Sequence, residues 1–583
     1  MMSKLSLSCV LIISFLCGCD SNLSNQKQES VSDTTLDIRE IAGTMNLHPL
    51  YGVDELSGIL GTYIFQTLTS IDFKTLELTP LLADSLPKVE PLGNGLTNYQ
   101  FTIRDEARWD NGEEIKASDV EFSIKINLLP DKSNTGFNEF YQSIVDFKVD
   151  SSDDKTLTMT STMNFSEAKY LVGDIIILPQ YLYDPNLLLT NYTIPYLNNN
   201  GLLIASDSTI LNFIATLNDS KFKSNPEFIK GSGPYHIKEL LEGQKITLEK
   251  KQTWWGDLIR NSNTEFEANV DIIKYHIIPD ETTALSALKN GSIDLMRGIS
   301  PKEFSEMKES DVYDNRLNFV TSPMMAYYSL GLNLNHPILK TKNNRKALAH
   351  LLDVQKMIDI VAYGYAEQTI GPNAKSDKHN YNFDLQPYIY SVEKAASLLK
   401  EEGWEDKDGD GVMEKVIEGI NIPFELEYNY NSGNETRKKI GLIFQEDAKK
   451  AGIKIKIQPL EWSNYLDQLN NKNFEIAFVG KMFSPTPRNH KSIFHSESIT
   501  EGANYTSYSN PEVDLLIDLI NNSSTIKDRS THNYKLQEIL HEELPYLYLY
   551  SPLERMAINK EYSNYNLSAM RPGFWAPGFK LKK

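Results

Sequence analysis

The sequence predicts a large mixed α/β protein of several domains, and three observations lead there. Period-2 alternation and helical periodicity interleave along the chain. Aromatic residues make up 10% of it, with turn signals spread evenly between the periodic segments. At 583 residues the chain exceeds what one hydrophobic core fills, so it divides into domains of ordinary size. No internal repeat and no low-complexity tract interrupts this texture.

At the N-terminus, Lys4 precedes an apolar stretch at 5–16 and the run Leu16, Cys17, Gly18, Cys19. The stretch is too short to cross a bilayer permanently, and small residues before Cys19 suit a processing enzyme. Residues 1–18 read as a signal peptide and Cys19 as a lipid attachment site. All 3 cysteines fall in this segment, so the body has no internal disulfide and relies on an apolar core. Residues 19–36 are polar and aperiodic, which predicts a flexible tether. No later segment has the roughly 18 consecutive apolar residues of a membrane span.

The net charge is −20, with 78 acidic against 58 basic residues. Nucleic acid is therefore excluded as a partner, since polyanion binding needs clustered Lys and Arg and no such cluster stands clear of acidic neighbours.

Within the body, Ala347, Leu351, Val354, Ile358 and Val361 form one stripe and predict a single helix over 344–362, ended by Gly364. Ile440, Ile443, Phe444 and Ala448 predict a second, stopped by Gly452. Val513, Leu516, Ile517 and Ile520 predict a third, capped by Asn510 with Pro511 in its first turn. Strands are expected at 98–103, 244–250, 453–457 and 546–550. Residues 191–224, rich in Asn, Thr and Ser, read as an insertion.

Several segments, taken in order, carry a family likeness. Tyr99, Arg104, Trp109, Asp110 and Gly112, continuing to Asp119, Phe122 and Ser123, form the most specific block. Gly231, Gly233, Pro234 and Tyr235 follow, with Trp255 and Gly256, then Ala284 to Asp294, Leu332 to Asp353, Tyr390 to Trp404, and Glu543 to Tyr546. Together they resemble the family 5 extracellular solute-binding proteins, the oligopeptide- and dipeptide-binding subunits of ABC importers. The resemblance implies a two-lobed periplasmic-binding-protein-like fold of the large peptide-binding type, with three domains and a hinged clamshell. It implies a first lobe at 37–78, 226–317 and 546–583, an extra domain at 79–225, and a second lobe at 318–545. It further implies a monomer that captures a peptide or peptide-like solute and delivers it to an ABC permease, with no cofactor and no catalysis, at the cell envelope facing the periplasm or exterior.

The residues of these blocks also have a plain physical reading. Asp110, Asn111 and Gly112 suit a turn, and Ser118 or Asp119 suits a helix cap. Gly231 and Gly233 mark a close approach of backbone to backbone. None of them needs a ligand to explain it.

Family peptide binders carry a tryptophan and an acid after a strand of the second lobe, where the acid pairs with the peptide amine. Here the stretch after Phe478 reads Val479, Gly480, Lys481, Met482, Phe483 and onward to Arg488 and His490, with neither present. Lys481 and Arg488 suit a carboxylate, a phosphate or a blocked peptide better than an ammonium group, or else simply face water. Candidate ligand contacts are Tyr327, Tyr328, Phe483, Arg488 and Tyr550. Tyr327 and Tyr328 point to opposite strand faces, so at most one meets ligand. Alternation puts Tyr546, Tyr548 and Tyr550 on one face, which equally suits plain sheet packing.

Asp406, Asp408, Asp410 and Gly411 imitate the first half of a calcium loop, but Ile417 stands where the bidentate carboxylate belongs. An acidic turn is the leading reading and a calcium site the lesser one. A surface-tethered hydrolase is the rival class. His541 and Glu542 begin like a zinc protease helix, yet Pro545 occupies the second histidine's place, and no nucleophile elbow or phosphate loop exists. A binding protein of the same fold for a non-peptide anionic solute is the other alternative.

Overall fold

A computed structural model describes residues 34–43, 46–52, 54–130, 138–163, 168–260, 263–486, 488–523 and 525–582. Cys19 and the signal segment lie outside the described residues. The first strand, Thr35–Glu40, begins within the last two positions of the expected tether.

Three sheets organise the body. The largest runs in the order Leu317–Pro323, Tyr550–Asn559, Leu295–Arg297, Thr35–Glu40, Ile272–Ile277, Lys245–Lys250, Tyr235–Leu241, with Ala366–Gln368 also pairing Tyr550–Asn559. A five-stranded sheet runs Lys454–Leu460, Glu425–Asn431, Ile476–Met482, Ala326–Leu332, Tyr546–Tyr548. A four-stranded sheet joins Lys88–Gly93, Leu96–Thr102, Asp153–Ser161 and Ile144–Asp150. Parallel pairs at Thr35–Glu40 with Ile272–Ile277, and Glu425–Asn431 with Lys454–Leu460, sit among antiparallel ones, as a mixed α/β fold requires.

The largest and four-stranded sheets share one core, in which Leu36 and Ile273 meet the same cluster as Tyr99 and Leu157. The five-stranded sheet has its own, built on Leu330, Phe424, Leu426, Tyr428 and Phe478. The chain passes between the two larger sheets just after Pro323, before Ala326, and again at Leu549, and between these it returns once to the larger sheet at Ala366–Gln368.

The docking of helix Glu55–Ile64 explains two glycines. A Cβ on Gly231 would stand 2.3 Å from the Ile64 carbonyl oxygen, and one on Gly233 2.4 Å from that of Tyr63. The close approach expected from the sequence is real, and only residues without a side chain permit it.

Other expectations need adjustment. The helix expected over 344–362 is two helices, Lys342–His350 and Val354–Val361. Asp353 breaks the run, because its carboxylate accepts the Lys356 N–H at 3.0 Å and caps a new helix. Buried Leu351 and Leu352 fill the corner, so the apolar stripe continues through a bend. Neither Ser118 nor Asp119 is the cap of helix Ala117–Asn127. Asp119 lies in its first turn, accepts from Lys116 N at 2.9 Å and Trp109 Nε1 at 3.3 Å, and is pushed up to about 6 by burial. Gly112, with φ +85°, closes the preceding turn as expected.

The helices Glu435–Lys449 and Pro511–Asn521 bury the anticipated residues, and Asn510 accepts from Glu512 N and Val513 N. Residues 191–224 form short helices, including Ile194–Asn199 and Ser208–Leu217, that pack Leu197, Ile210 and Leu217 into the larger core.

Candidate functional site

In the five-stranded sheet, Ala326–Leu332 pairs antiparallel with Ile476–Met482, setting Tyr327 opposite Lys481 and Tyr328 opposite Gly480. Residues directly opposite share a face, so the two tyrosines point apart. On one face the Tyr327 ring lies 5.3 Å from that of Tyr548 and 6.2 Å from that of Phe483. The Arg488 guanidinium sits over both Phe483 and Tyr327, 4.3 and 5.3 Å from their ring centres. It donates to the Pro372 carbonyl and, at 3.4 Å, to the Tyr327 hydroxyl.

The other face is core. Tyr328 packs 5.2 Å from Phe478 and 5.4 Å from Tyr550. Tyr550 therefore does not share a face with Tyr546 and Tyr548. The strand Tyr546–Tyr548 ends, Leu549 N turns to the Tyr328 carbonyl at 2.9 Å, and Tyr550 starts a new strand in the other sheet. Among the five candidates, the structure brings Tyr327, only 2% exposed, together with Phe483 and Arg488, places Tyr550 in the apolar cluster behind them and sets half-buried Tyr328 against that cluster.

Arg488 and Lys481 have no carboxylate within ion-pairing reach among the described residues; Lys481 lies over the Tyr505 ring instead. Burial, then Arg488, lowers the Lys481 ammonium. His490 is fully buried against Asn533, at 3.1 Å, and burial followed by Arg488 takes it down to about 3, so it stays neutral. The excess positive charge on this wall therefore rests on Lys481 and Arg488.

Where the chain crosses between the sheets, a cavity of about 410 Å³ opens. One wall is Met324, Met325, Met482 and Phe483; the other is Ser322, Glu554 and residues 568–573. Behind the second wall, Arg297 grips Glu40 through two hydrogen bonds of 3.0 and 3.1 Å and reaches Glu55 at 2.8 Å. Burial alone would lower the Arg297 guanidinium, but Glu40 and Glu55 outweigh it and hold it protonated. Arg571 binds Glu55 at 2.5 Å and donates to Met482 Sδ at 3.1 Å, a contact from one wall to the other.

Sequence reasoning did not single out Glu554, Ser322 or the methionines. No motif marks them, and only the pairing of Ser322 with Glu554, far apart in the chain, brings them together.

The acidic turn lies elsewhere. Asp406, Asp408 and buried Glu414 bring carboxylate oxygens within 4.8 Å of one another, while Asp410 instead accepts from Val412 N at 2.8 Å. Asp406 accepts from Gly409 N and Gly411 N, and Glu414 from Lys407 N, which is the work of a turn. His541 lies in helix Ile526–Glu543, which stops at Leu544 in the left-handed region, and its ring packs 4.8 Å from Tyr388.

Comparison with known proteins agrees with this architecture. The model of the bacterial extracellular solute-binding proteins, family 5 Middle, matches residues 77–497. The oligopeptide-binding protein AppA of Bacillus subtilis is 28% identical over 588 residues, spanning 97% of this chain and 96% of its own. The dipeptide-binding protein DppE of the same organism is 22% identical, over 92% and 91%. The solved structure of Bacillus subtilis AppA in complex with a nonapeptide aligns with a TM-score of 0.63 at 26% identity, covering 94% of this chain and 99% of that one. NikA from Brucella suis in complex with Fe(III)-EDTA aligns at 0.73 and 20% identity, over 94% and 100%, which speaks to fold alone. This chain belongs to the family 5 bacterial extracellular solute-binding proteins.

Proposed function

We propose that this chain is the substrate-binding subunit of an ABC importer, which captures a peptide or peptide-like solute in the crevice between its two larger sheets and delivers it to a membrane permease. The observation that carries this reading is a cavity walled by both sheets at the crossings, in a chain alignable over 97% of its length with an oligopeptide-binding protein. A solute touching both walls gains its contacts only when they approach, so binding shifts the hinge equilibrium toward closure. The ligand leaves unaltered, and the protein is not an enzyme. Cleavage before Cys19 and acylation of its thiol hold a monomer on the membrane, facing the periplasm or exterior.

Native mass spectrometry of protein isolated from its host, followed by calorimetry with synthetic peptides of two to nine residues, tests this. Intact retained peptide and an acyl mass on the N-terminal cysteine are expected. Cleaved peptide would favour a tethered hydrolase, and no peptide binding at all would overturn the reading.

The unpaired Arg488 and Lys481 favour a second reading within the same fold, an anionic solute or a peptide whose carboxylate reaches that wall. Arg488→Gln is expected to weaken such a ligand by about tenfold or more, the worth of one hydrogen bond to a charged group. Unchanged affinity for carboxylate and amidated ligands alike would remove this reading.

A further inference from the structure

The large-sheet wall of the crevice carries an odd carboxylate. Glu40, Glu55 and Glu554 stand there against the two guanidinium groups of Arg297 and Arg571; the arginines form their ion pairs with Glu40 and Glu55, and Arg297 meets Glu554 only through the longer-range field. Arg555, next along the strand, turns away and donates to the Ile299 and Leu553 carbonyls. Glu554 has no ion pair within 4.0 Å among the described residues, yet it is only 9% exposed. Its Oε1 accepts from Gly298 N at 2.9 Å and Arg555 N at 3.2 Å, and Oε2 takes neither bond. A buried carboxylate is costly unless a cation or further donors meet it.

A second group points the same way. Ser322 lies directly opposite Glu554 in the antiparallel ladder, so both side chains share a face. Ser322 is 1% exposed, its Oγ has no hydrogen-bond partner, and it lines the same cavity. Two adjacent oxygens with spare acceptor capacity fit the N–H groups of an ammonium ion.

The remaining lining is apolar and soft. Of the 14 methionines in the chain, Met324, Met325, Met482 and Met570 line this one cavity, beside Phe483. Unbranched, polarizable thioethers adapt to side chains of differing shape. At about 410 Å³ the cavity is near the small end for ligand pockets, with room for one residue and the start of the next.

We propose that this cavity seats the N-terminal residue of a bound peptide, with its ammonium group on Glu554 and Ser322 and an apolar side chain among the four methionines. The proposal rests on the peptide reading above and deepens it. It places the amine recipient on the wall opposite Arg488 and Lys481, so a peptide's positive end meets the spare carboxylate and an anionic group meets the spare cations.

The test is calorimetry on the full mature protein with three peptides: one led by leucine, its N-acetylated form, and one led by aspartate. The free-amine leucine peptide is expected to bind about tenfold to a hundredfold tighter than the acetylated one, the worth of a charge-assisted hydrogen bond. Glu554→Gln keeps an oxygen for Gly298 N and Arg555 N and is expected to abolish that preference without lowering the melting temperature. If Glu554→Gln does not fold, the double variant Met482→Gln, Met570→Gln serves, and it is expected to lose the preference for leucine over aspartate. Equal binding of free and acetylated peptides, or an unchanged preference in Glu554→Gln, overturns this seat while leaving peptide capture standing. Failure of all three peptides to bind overturns peptide capture and the seat with it.

Discussion

The two faces of the strand pair Ala326–Leu332 and Ile476–Met482 carry the same kinds of residue and put them to different use. Tyr328, half-buried, packs beside Phe478 and Tyr550 at the margin of an apolar core, whereas Tyr327 is 2% exposed. Tyr327 packs beside Phe483 and Tyr548 but also beneath Arg488, whose charge has no carboxylate partner among the described residues. Two tyrosine clusters in one sheet thus differ in whether an unneutralised charge stands over them. Each face also has a glycine that seats a ring: a Cβ on Gly331 would lie 3.1 Å from Tyr546, and one on Gly480 3.3 Å from Tyr328.

Substitutions on the two faces should therefore fail in different ways. Tyr550→Ala, at a site 1% exposed, is expected to lose about 3–5 kcal/mol of stability through the cavity it leaves. Ligand affinity of the protein that still folds should stay within about twofold. Tyr327→Ala, at a site 2% exposed, should cost comparable stability and in addition, by removing the platform under Arg488, weaken binding about tenfold. Urea denaturation beside calorimetry separates the two, and a large affinity loss in Tyr550→Ala would erase the distinction.

Acid sharpens it further, because the Tyr327 side includes His490. Its folded-state pKa near 3 lies below the ordinary 6.5. The unfolded chain takes the proton first, so the stabilisation is whole above 6.5 and drains away as pH falls toward 3. Between about pH 6.5 and 5 the loss is about 2 kcal/mol, at about 1.4 kcal/mol per unit. His490→Gln should remove that part of the slope, and parallel urea midpoints for both proteins across this range would refute it. The smallest effect is expected from Gly480→Ala, which presses a methyl group on Tyr328 and should cost about 1 kcal/mol in the same assay.

Much of this comparison was legible in the chain, and the rest was hidden for physical reasons. The opposed directions of Tyr327 and Tyr328 follow from strand periodicity, and the convergence of Phe483 with Arg488 from their nearness in sequence. Tyr550 misled because alternation carries through Leu549 on paper, whereas the backbone turns there to meet the Tyr328 carbonyl. The helix over 344–362 misled likewise, since a stripe of apolar residues survives the corner that Asp353 makes. Glu554 was invisible, being one acid in an unremarkable strand until Gly298, Ser322 and the loop at 568–573 gather round it.

The strand Tyr550–Asn559 is sewn between Leu317–Pro323 and Leu295–Arg297. It leaves the ribosome only after every strand of the five-stranded sheet, so the half of the molecule synthesised first is the half completed last. Until those final residues emerge, two strands present unpaired backbone to whatever is near, which is where premature association would begin.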